Sequence, residues 1–410
     1  MKRLLGIIGR NNDEKFLFQE NGTISIVNSR DFIKPPNYNL IKNRNSLIGT
    51  SPVSGETVFN FRYGPVTGGV AEAGIYNIHT SGEKILSVTI DLTVKRRKIE
   101  ELMHGKSIDE CLKLSENICG NFAFSHSVAF TRAIEKISNM ETEDFIKVCR
   151  VICLELERIY NHFYLIAELA KGAAQKVLTS HLQYIFEECL RINEIFSGSR
   201  HLLGFNEVAN IGKIPTKDNI INILSRIKDI EARFEYLYEK SLESGNYLDR
   251  LHNTGIISKD KALEIGLTGP SLRASGIKED LREYDSYYGK LEIPAKEEGD
   301  SLARMEVRAE EIFISISLIK NLLNKLLEME PSNKSNYTIK DGEGFAYVES
   351  PSGTICYFLE IKNCKIEYCH VVTPSLFGFQ AIAESLVGQI FTDFVFTVES
   401  FGVNFADAAR

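Results

Sequence analysis

The stretch SENICGNFAFSHSVAFTRAIE, residues 115–135, decides the fold that the sequence predicts. Cys119-Gly120 interrupts the preceding helical pattern, and glycine reaches backbone angles that other residues avoid. After this break, apolar side chains return at roughly helical spacing, at Phe122, Phe124, Val128, Phe130 and Ile134. The stretch therefore predicts a turn that leads into a buried helix, and periodicity alone favours a purely structural role for it.

The same stretch resembles the first nickel-ligand loop of nickel–iron hydrogenase large subunits, particularly the membrane-bound energy-converting group. The family pattern reads approximately E-R-I-C-G-I-C-S-F-S-H-S-x-A-F, and the residues shared here include Glu116, Cys119, Gly120, Ser125 and His126. Phe122 stands where the second cysteine ligand of that loop belongs. The substitution separates the likeness in fold from any likeness in metal chemistry.

Further motifs follow in the order of the same superfamily. The segment ERIYNH, residues 157–162, resembles a helix shared by the hydrogenases and the 49 kDa subunit of respiratory complex I. The segment GPSLRASG, residues 269–276, together with Asp280 and Arg282, resembles that 49 kDa subunit specifically. The tail ESFGVNFADAAR, residues 399–410, resembles the second nickel-ligand motif, E-S-F-D-P-C-x-x-C-x-x-R. The resemblance runs from about Tyr63 to Arg410.

The resemblance implies an α+β, mainly α fold, in which a core of long helices carries antiparallel hairpin and sheet segments near both ends. We predict a small β-rich arm over residues 1–60 and a hydrogenase large-subunit-like domain over residues 61–410. Within that domain we expect a β-hairpin at 63–92, a helical core at 99–330 and a C-terminal β and helical region at 343–410. The strongest helix signal covers residues 144–172, whose apolar side chains share one stripe.

Composition narrows the classes of function. The net charge of −7 argues against a surface dedicated to nucleic acid, because phosphate binding needs clustered lysine and arginine. The eight cysteines are too sparse for a disulfide scaffold, and none are arranged as C-x-x-C. No signal peptide is recognisable at Met1, and no window approaches 18 consecutive apolar residues. A cytoplasmic location is therefore the default expectation.

A nickel–iron centre needs four thiolates, because soft sulfur ligands hold nickel and bridge it to iron. Of the four positions that the resemblance assigns, only Cys119 keeps its thiol, and the others hold Phe122, Asn404 and Asp407. The Pro-Arg-Gly motif of the family appears as Pro-Ser-Gly, with Ser352 in the arginine position. We therefore expect no nickel–iron centre and no cofactor bound by this chain.

The chemistry that survives rests on a few polar side chains. Glu72 matches the acid that relays protons in the hydrogenases, and burial of such a carboxyl would raise its pKa. A hydrogen-bonded core glutamate is an equally good interpretation of this residue. His126 and Asp407 are the other catalytic candidates, and with Glu72 and Cys119 they also contain donors that zinc or iron accepts. That second metal hypothesis is the weaker one, because buried cysteine and histidine are usually structural.

Two positions are predicted to line the cavity. Ser352 is one, and Thr67 is the other, since it replaces the family's first-hairpin histidine, which holds a quinone headgroup in complex I. The complex I tyrosine partner of that quinone falls near Gly120, so the quinone ligands are absent at the aligned positions. Arg158 and His162 lie one helical turn apart, and we interpret them as a structural pair.

The resemblance implies the large, catalytic-position subunit of a membrane-associated oxidoreductase complex that has lost its nickel–iron site. Such a subunit couples electron transfer from a partner small subunit, which carries a 4Fe–4S cluster, to ion translocation. It is peripheral on the inner face of the cell membrane, held there by complex I-like hydrophilic and membrane subunits. Two alternatives stay open: a non-catalytic scaffold subunit, and a quinone-reducing NADH dehydrogenase-type subunit with the quinone and NAD binding of that class.

Overall fold

The computed structural model describes residues 3–10, 13–20, 22–28, 35–42, 47–66, 72–332 and 337–410. The N-terminal part is mostly β-structure. Its elements are β1 (Arg3–Arg10), β2 (Asp13–Glu20), β3 (Thr23–Asn28), α1 (Tyr38–Lys42), β4 (Leu47–Gly49), β5 (Phe59–Tyr63), β6 (Ile75–Ser81) and β7 (Lys84–Asp91). Strands β1–β3 form one antiparallel sheet, and the second sheet has the order β4-β7-β6-β5.

The central part is helical, as the sequence predicts. Its elements are α2 (Ile99–Leu102), α3 (Ile108–Glu116), α4 (Ala123–Ser138), α5 (Asp144–Gly172), α6 (Lys176–Ser197), β8 (Asn206–Glu207), β9 (Asn210–Ile211), α7 (Lys217–Leu242), α8 (Gly245–Leu251), α9 (Lys259–Ile265), α10 (Gly269–Arg273) and α11 (Ser301–Glu328). Helix α5 packs against α4, α6, α11 and, further along the chain, residues 394–401. Being surrounded, it buries polar as well as apolar faces, which exceeds the single stripe that its periodicity predicts.

The C-terminal part returns to strands and short helices. It contains β10 (Gly342–Ser350), β11 (Gly353–Lys362), β12 (Lys365–Val372), α12 (Pro374–Leu386), α13 (Phe394–Phe401) and α14 (Phe405–Ala409). Strands β10, β11 and β12 pair in sequence as an antiparallel sheet, and α4 lies against β10 and β11. The α+β, mainly α prediction is confirmed by this arrangement.

Local sequence signals explain where the site-bearing elements begin. Ser107 and Glu110 form a reciprocal capping box at the start of α3, which satisfies two backbone N–H groups that the first turn leaves free. Asp300 accepts the Ala303 N–H at 2.8 Å and begins α11. Gly82, with φ of +59°, supplies the turn between β6 and β7, so the predicted hairpin forms where the sequence places it.

Two hydrophobic clusters hold the described chain together. One is centred on helices α4–α7 and α11, and the other joins the N-terminal strands to the β4–β7 sheet and to α12–α14. Arg3 forms an ion pair with Glu279, and Asn37 donates to the carbonyls of Leu4 and Ile265 at 2.8 and 3.2 Å. The predicted division at residue 60 stays a prediction, and strand β5 crosses it.

Among the described residues, every helix is too short or too polar to cross a lipid bilayer. Seven of the eight cysteines are buried, and the exposed one is Cys364, in the turn between β11 and β12.

Candidate functional site

A cavity of about 210 Å³ lies where the turn before α4 meets the C-terminal segment of the chain. Its walls come from the loop before β6 and the start of that strand, from the turn before α4, from one face of α5 and from the loop between α13 and α14. The side chains that matter to its chemistry are Glu72, Tyr76, Cys119, Asn121, Asn161, Tyr164 and Asn404. Residues from both stretches that resemble nickel-ligand motifs therefore face one cavity.

Glu72 reaches this space from the loop before β6. Its carboxylate accepts hydrogen bonds from the backbone N–H groups of Phe405 and Ala406, the second at 3.0 Å. Burial raises the pKa of Glu72, and the two N–H groups oppose that shift because they favour the charged form. The residue is thus both a tie to the C-terminal segment and a carboxyl that holds its proton to higher pH than an exposed glutamate.

Cys119 ends the extended backbone just before a short 3₁₀ turn at Gly120–Phe122. Its thiol is buried, and burial together with the nearby carboxylates of Asp407 and Glu72 raises its pKa well above the usual value. At neutral pH the group is therefore a protonated thiol. A protonated thiol is a poor metal ligand and a poor nucleophile.

The two ends of the site are linked directly by amide side chains. Asn121 Nδ2 donates to Asn404 Oδ1 at 3.3 Å, and the Asn404 N–H donates to Ser375 Oγ at 3.1 Å. Asn161, on α5, donates to the Asn121 carbonyl at 2.7 Å. These bonds fix the turn before α4 against both α5 and the C-terminal loop.

His126 and Asp407 pair in the interior rather than on the cavity wall. His126 Nε2 lies 3.0 Å from Asp407 Oδ1, and its Nδ1 lies 3.0 Å from the Tyr357 hydroxyl. Asp407 also accepts the Ser375 N–H at 3.3 Å, and both side chains are fully buried. The structure thus brings these two candidates together, one helical turn behind the residues that face the cavity.

The remaining predicted positions lie elsewhere. Phe122 is buried in the helical hydrophobic core and does not line the cavity. Ser352 is also outside the lining; its hydroxyl donates to the Gly402 carbonyl at 2.6 Å, and Gly402 forms part of the wall. Thr67 lies outside the described residues.

Glu157, on α5, supports the site by binding the first turn of α4, a role that the 157–162 motif does not predict. Its carboxylate accepts the N–H groups of Phe124 and Ser125 at 2.7 and 3.0 Å, and it also accepts the Ser125 hydroxyl. Complete burial raises the pKa of Glu157 to about 7. This clamp holds the first turn of α4, and the sequence gives little signal of it, because α5 also carries other charged residues such as Glu155 and Arg158.

Beside the cavity lies a second polar feature, which we call the buried ionic network. Its members are Glu155, Arg158, His162, Arg273, Asp280, Arg282, Arg308, Glu311 and Glu349. All nine are at most 5% exposed, and four guanidinium groups face four carboxyl groups. Arg308 extends it towards the cavity by donating to the Phe401 carbonyl at 2.9 Å.

Proton affinities within the network follow from this pairing. Burial would raise the pKa of Glu311, but Arg273 and the hydrogen bond from His162 hold it well below its usual range. Burial lowers the pKa of His162 to about 3, so the imidazole is neutral and accepts or donates hydrogen bonds without charge. The prediction that Arg158 and His162 are structural agrees with their complete burial in this network.

Donor side chains are not clustered as a metal site would require. Within the described ranges, no group of three or more histidine, cysteine, aspartate or glutamate side chains is arranged to hold a metal ion.

Tyr76 lines the cavity, and its buried hydroxyl makes no hydrogen bond within the part of the chain that the structure describes.

Comparison with known proteins supports the predicted resemblance. Residues 178–340 match the family model described as respiratory-chain NADH dehydrogenase, 49 Kd subunit. An NADH-quinone oxidoreductase subunit from Chloroherpeton thalassium is 27% identical over 355 residues, which cover 78% of this chain and 80% of that protein. Membrane-bound hydrogenase subunit alpha of Pyrococcus furiosus is 26% identical over 368 residues, covering 82% and 84% respectively.

A solved structure shows the same fold. A chain of the membrane-bound sulfane sulfur reductase, an archaeal respiratory membrane complex, superposes with a TM-score of 0.82 at 21% identity, covering 88% of this chain and all of that one. The predicted resemblance to hydrogenase large subunits and complex I 49 kDa subunits is confirmed. This chain is thus similar to subunits of an NADH-quinone oxidoreductase, of a membrane-bound hydrogenase and of a respiratory membrane complex.

Proposed function

We propose that this chain is the catalytic-position large subunit of a complex I-like, energy-converting-hydrogenase-related oxidoreductase assembly that works without a nickel–iron site. In this proposal, electrons come from the 4Fe–4S cluster of a partner small subunit, and the assembly couples their transfer to ion translocation. The chain itself holds no cofactor. It sits peripherally on the inner face of the membrane through its complex I-like partners.

The observation that carries the proposal is the cavity bounded by Glu72, Cys119 and Asn404, whose lining is both polar and apolar. Both altered ligand motifs meet there, so the family's reaction position is preserved as a space while its ligands differ. The buried Tyr76 hydroxyl at this cavity supports a bound molecule, because buried polar groups normally have a hydrogen-bond partner.

The residues present do not fit a nickel–iron centre. Four thiolates are needed, yet Phe122 lies in the apolar core, Asn404 offers an amide, and the Asp407 carboxylate is taken by His126. Cys119 is the one position of the four that carries a thiol, so three of the four sulfur ligands are missing. We therefore derive no step through such a centre.

The chain's own residues suit control of a proton in a small space. Glu72 holds a proton on a carboxyl whose pKa burial raises, and it faces a cavity of about 210 Å³. Two backbone N–H groups orient that carboxyl and stabilise it when the proton leaves. Its role would be to exchange a proton with whatever molecule the partner's cluster reduces.

The scaffold alternative is less well supported by the geometry than by the sequence. An aromatic ring at the ligand position of Phe122 would favour a scaffold if it filled the reaction position, but that ring packs into the helical core instead. The quinone alternative meets a different difficulty, because about 210 Å³ is below the ~300–1,000 Å³ typical of ligand pockets. Walls supplied by partner subunits would have to enlarge the space.

Elemental analysis of the natively purified assembly tests the proposal. Nickel, iron, zinc and acid-labile sulfide would be measured per copy of this chain. We expect iron and sulfide in the ratio of 4Fe–4S clusters and no stoichiometric nickel. One nickel per chain would overturn the ligand argument, and an assembly without iron and sulfide would overturn the role of a partner cluster.

A further inference from the structure

A second and larger cavity, of about 700 Å³, lies away from the candidate site and shares no lining residue with it. One wall is formed by the end of α4 and the beginning of α5. The other is formed by β10 and by the segment 281–288. Its volume falls within the ~300–1,000 Å³ range of small-molecule sites. Nothing in the proposed function uses it.

Most charges on its walls are already paired. Arg132 lies 2.8 Å from Asp285, and Arg150 lies 2.7 Å from Glu135. Glu349 lies 3.1 Å from Arg273. These contacts leave little uncompensated charge on most of the surface, so the exceptions indicate what kind of molecule the cavity attracts.

Two exposed side chains on these walls, Glu141 and Lys136, have no ion pair among the described residues, and Lys136 is the cation of the two. It lies one turn after Arg132 on α4, and across the described ranges no carboxylate comes within ion-pair distance of its ammonium group. The ammonium is instead 5.6 Å from the ring centroids of both Phe345 and Tyr347. Lys136 is an exposed residue, and partial burial of its ammonium group lowers its pKa.

The opposite wall is aromatic. Tyr284, Tyr287, Tyr288 and Tyr347 all line the cavity. In the part of the chain that the structure describes, the hydroxyls of Tyr288 and Tyr347 make no hydrogen bond, whereas that of Tyr287 donates to Asp144 at 2.5 Å. Aromatic faces and free hydroxyls beside an uncompensated ammonium are complementary to a ring that carries an acidic group.

We propose that this cavity binds a small aromatic anion. Its phosphate or carboxylate would pair with Lys136, assisted by the Arg132 guanidinium, and its ring would lie among Tyr284, Tyr288 and Tyr347. The site is independent of the proposed function, since it requires neither the partner cluster nor the cavity at Glu72.

Equilibrium dialysis of the natively purified assembly tests this site with two probes at fixed ionic strength. AMP carries the aromatic ring with a phosphate, and 4-hydroxybenzoate carries it with a carboxylate. We expect saturable binding of at least one probe, at one molecule per chain, and the probe that binds identifies the acidic group. Lys136→Met should weaken binding about tenfold, the effect of losing a charge-assisted hydrogen bond.

Lys228→Met is the matched control, since this lysine is on the exposed surface of α7, and it should leave binding unchanged. Tyr347→Phe keeps the ring and should weaken binding by a smaller factor. The proposal is overturned if neither probe saturates below millimolar concentration, or if Lys136→Met binds like the wild type. It is equally overturned if cross-linking finds a partner subunit occupying the cavity.

Discussion

The buried ionic network and the cavity at Glu72 are neighbouring polar regions of opposite design. In the network, charged side chains form ion pairs with one another. Arg273 alone contacts Glu311 at 2.5 Å and both Asp280 and Glu349 at 3.1 Å. At the cavity, the polar groups are tied mainly to backbone, and the Tyr76 hydroxyl makes no hydrogen bond among the described residues. Side chains that pair with one another hold the fold together, whereas polar groups that face a cavity remain able to contact a bound molecule.

Removing one charge from the network is expected to lower the free energy of unfolding more than any other substitution considered. Arg158→Met leaves Glu155 and Glu311 buried with fewer partners, and we expect the free energy of unfolding to fall by about 3–5 kcal/mol. Denaturant titration of the purified protein measures it. Arg226→Met removes a half-exposed pair with Glu188 and should cost at most about 1 kcal/mol. Equal effects would mean that the network is not specially stabilising.

The Glu157 clamp predicts a dependence of stability on pH. Its pKa rises from 4.5 to about 7 on folding, so its contribution to stability is full below pH 4.5 and is lost as pH rises towards 7. Glu157→Gln removes this titration, and its stability relative to wild type should increase by about 3 kcal/mol between those two pH values.

Urea unfolding at several pH values checks the difference between the two proteins. Glu168→Gln, which removes a carboxylate 2.9 Å from Lys171 on the same helix, is the control for a glutamine substitution in α5. A Glu157→Gln profile parallel to that of wild type would show that this carboxyl is ionised in the folded protein throughout the range.

Elements that depend on local signals were more predictable from the sequence than contacts between distant residues. The hairpin turn at Gly82 and the helix at Asp144–Gly172 follow from local signals and appear in the structure as predicted. Pairing of His126 with Asp407 brings together residues 281 positions apart, and no local rule gives such a contact. The altered ligand motif suggested that Phe122 lies at the cavity. The direction in which its short turn faces is set by tertiary packing, and the structure places the ring in the hydrophobic core.

The cavity itself is tested by Glu72→Gln. If Glu72 exchanges the proton of the reaction, turnover of the assembly should fall about 100-fold, while the midpoint of thermal unfolding changes little. A shift in the pH profile of the residual rate would support the same role, because burial raises the pKa of Glu72. Glu83→Gln, in the exposed hairpin turn, is the control. Unchanged turnover would favour the scaffold alternative.

The smallest expected effect concerns the wall behind the cavity. Ser352→Ala removes the hydrogen bond to the Gly402 carbonyl, and we expect the free energy of unfolding to fall by about 1 kcal/mol. Denaturant titration measures it against Ser180→Ala, whose hydroxyl is on an exposed helical surface. A loss in Ser180→Ala as large as in Ser352→Ala would remove Ser352 from the supports of the site.

The long span of the buried ionic network constrains how a cell can make this protein. Arg158 donates to a carbonyl 191 residues further along the chain, and Arg3 pairs with Glu279. At about 5–20 residues per second, the ribosome needs roughly 10–40 seconds to supply the second half of the Arg158 contact. Helices α4 and α6, which also pack on α5, are made long before β10, so the apolar surface of α5 that they cover can be buried early. The Arg158 guanidinium, by contrast, lacks its β10 carbonyl throughout that interval, so completion of the network is a late step.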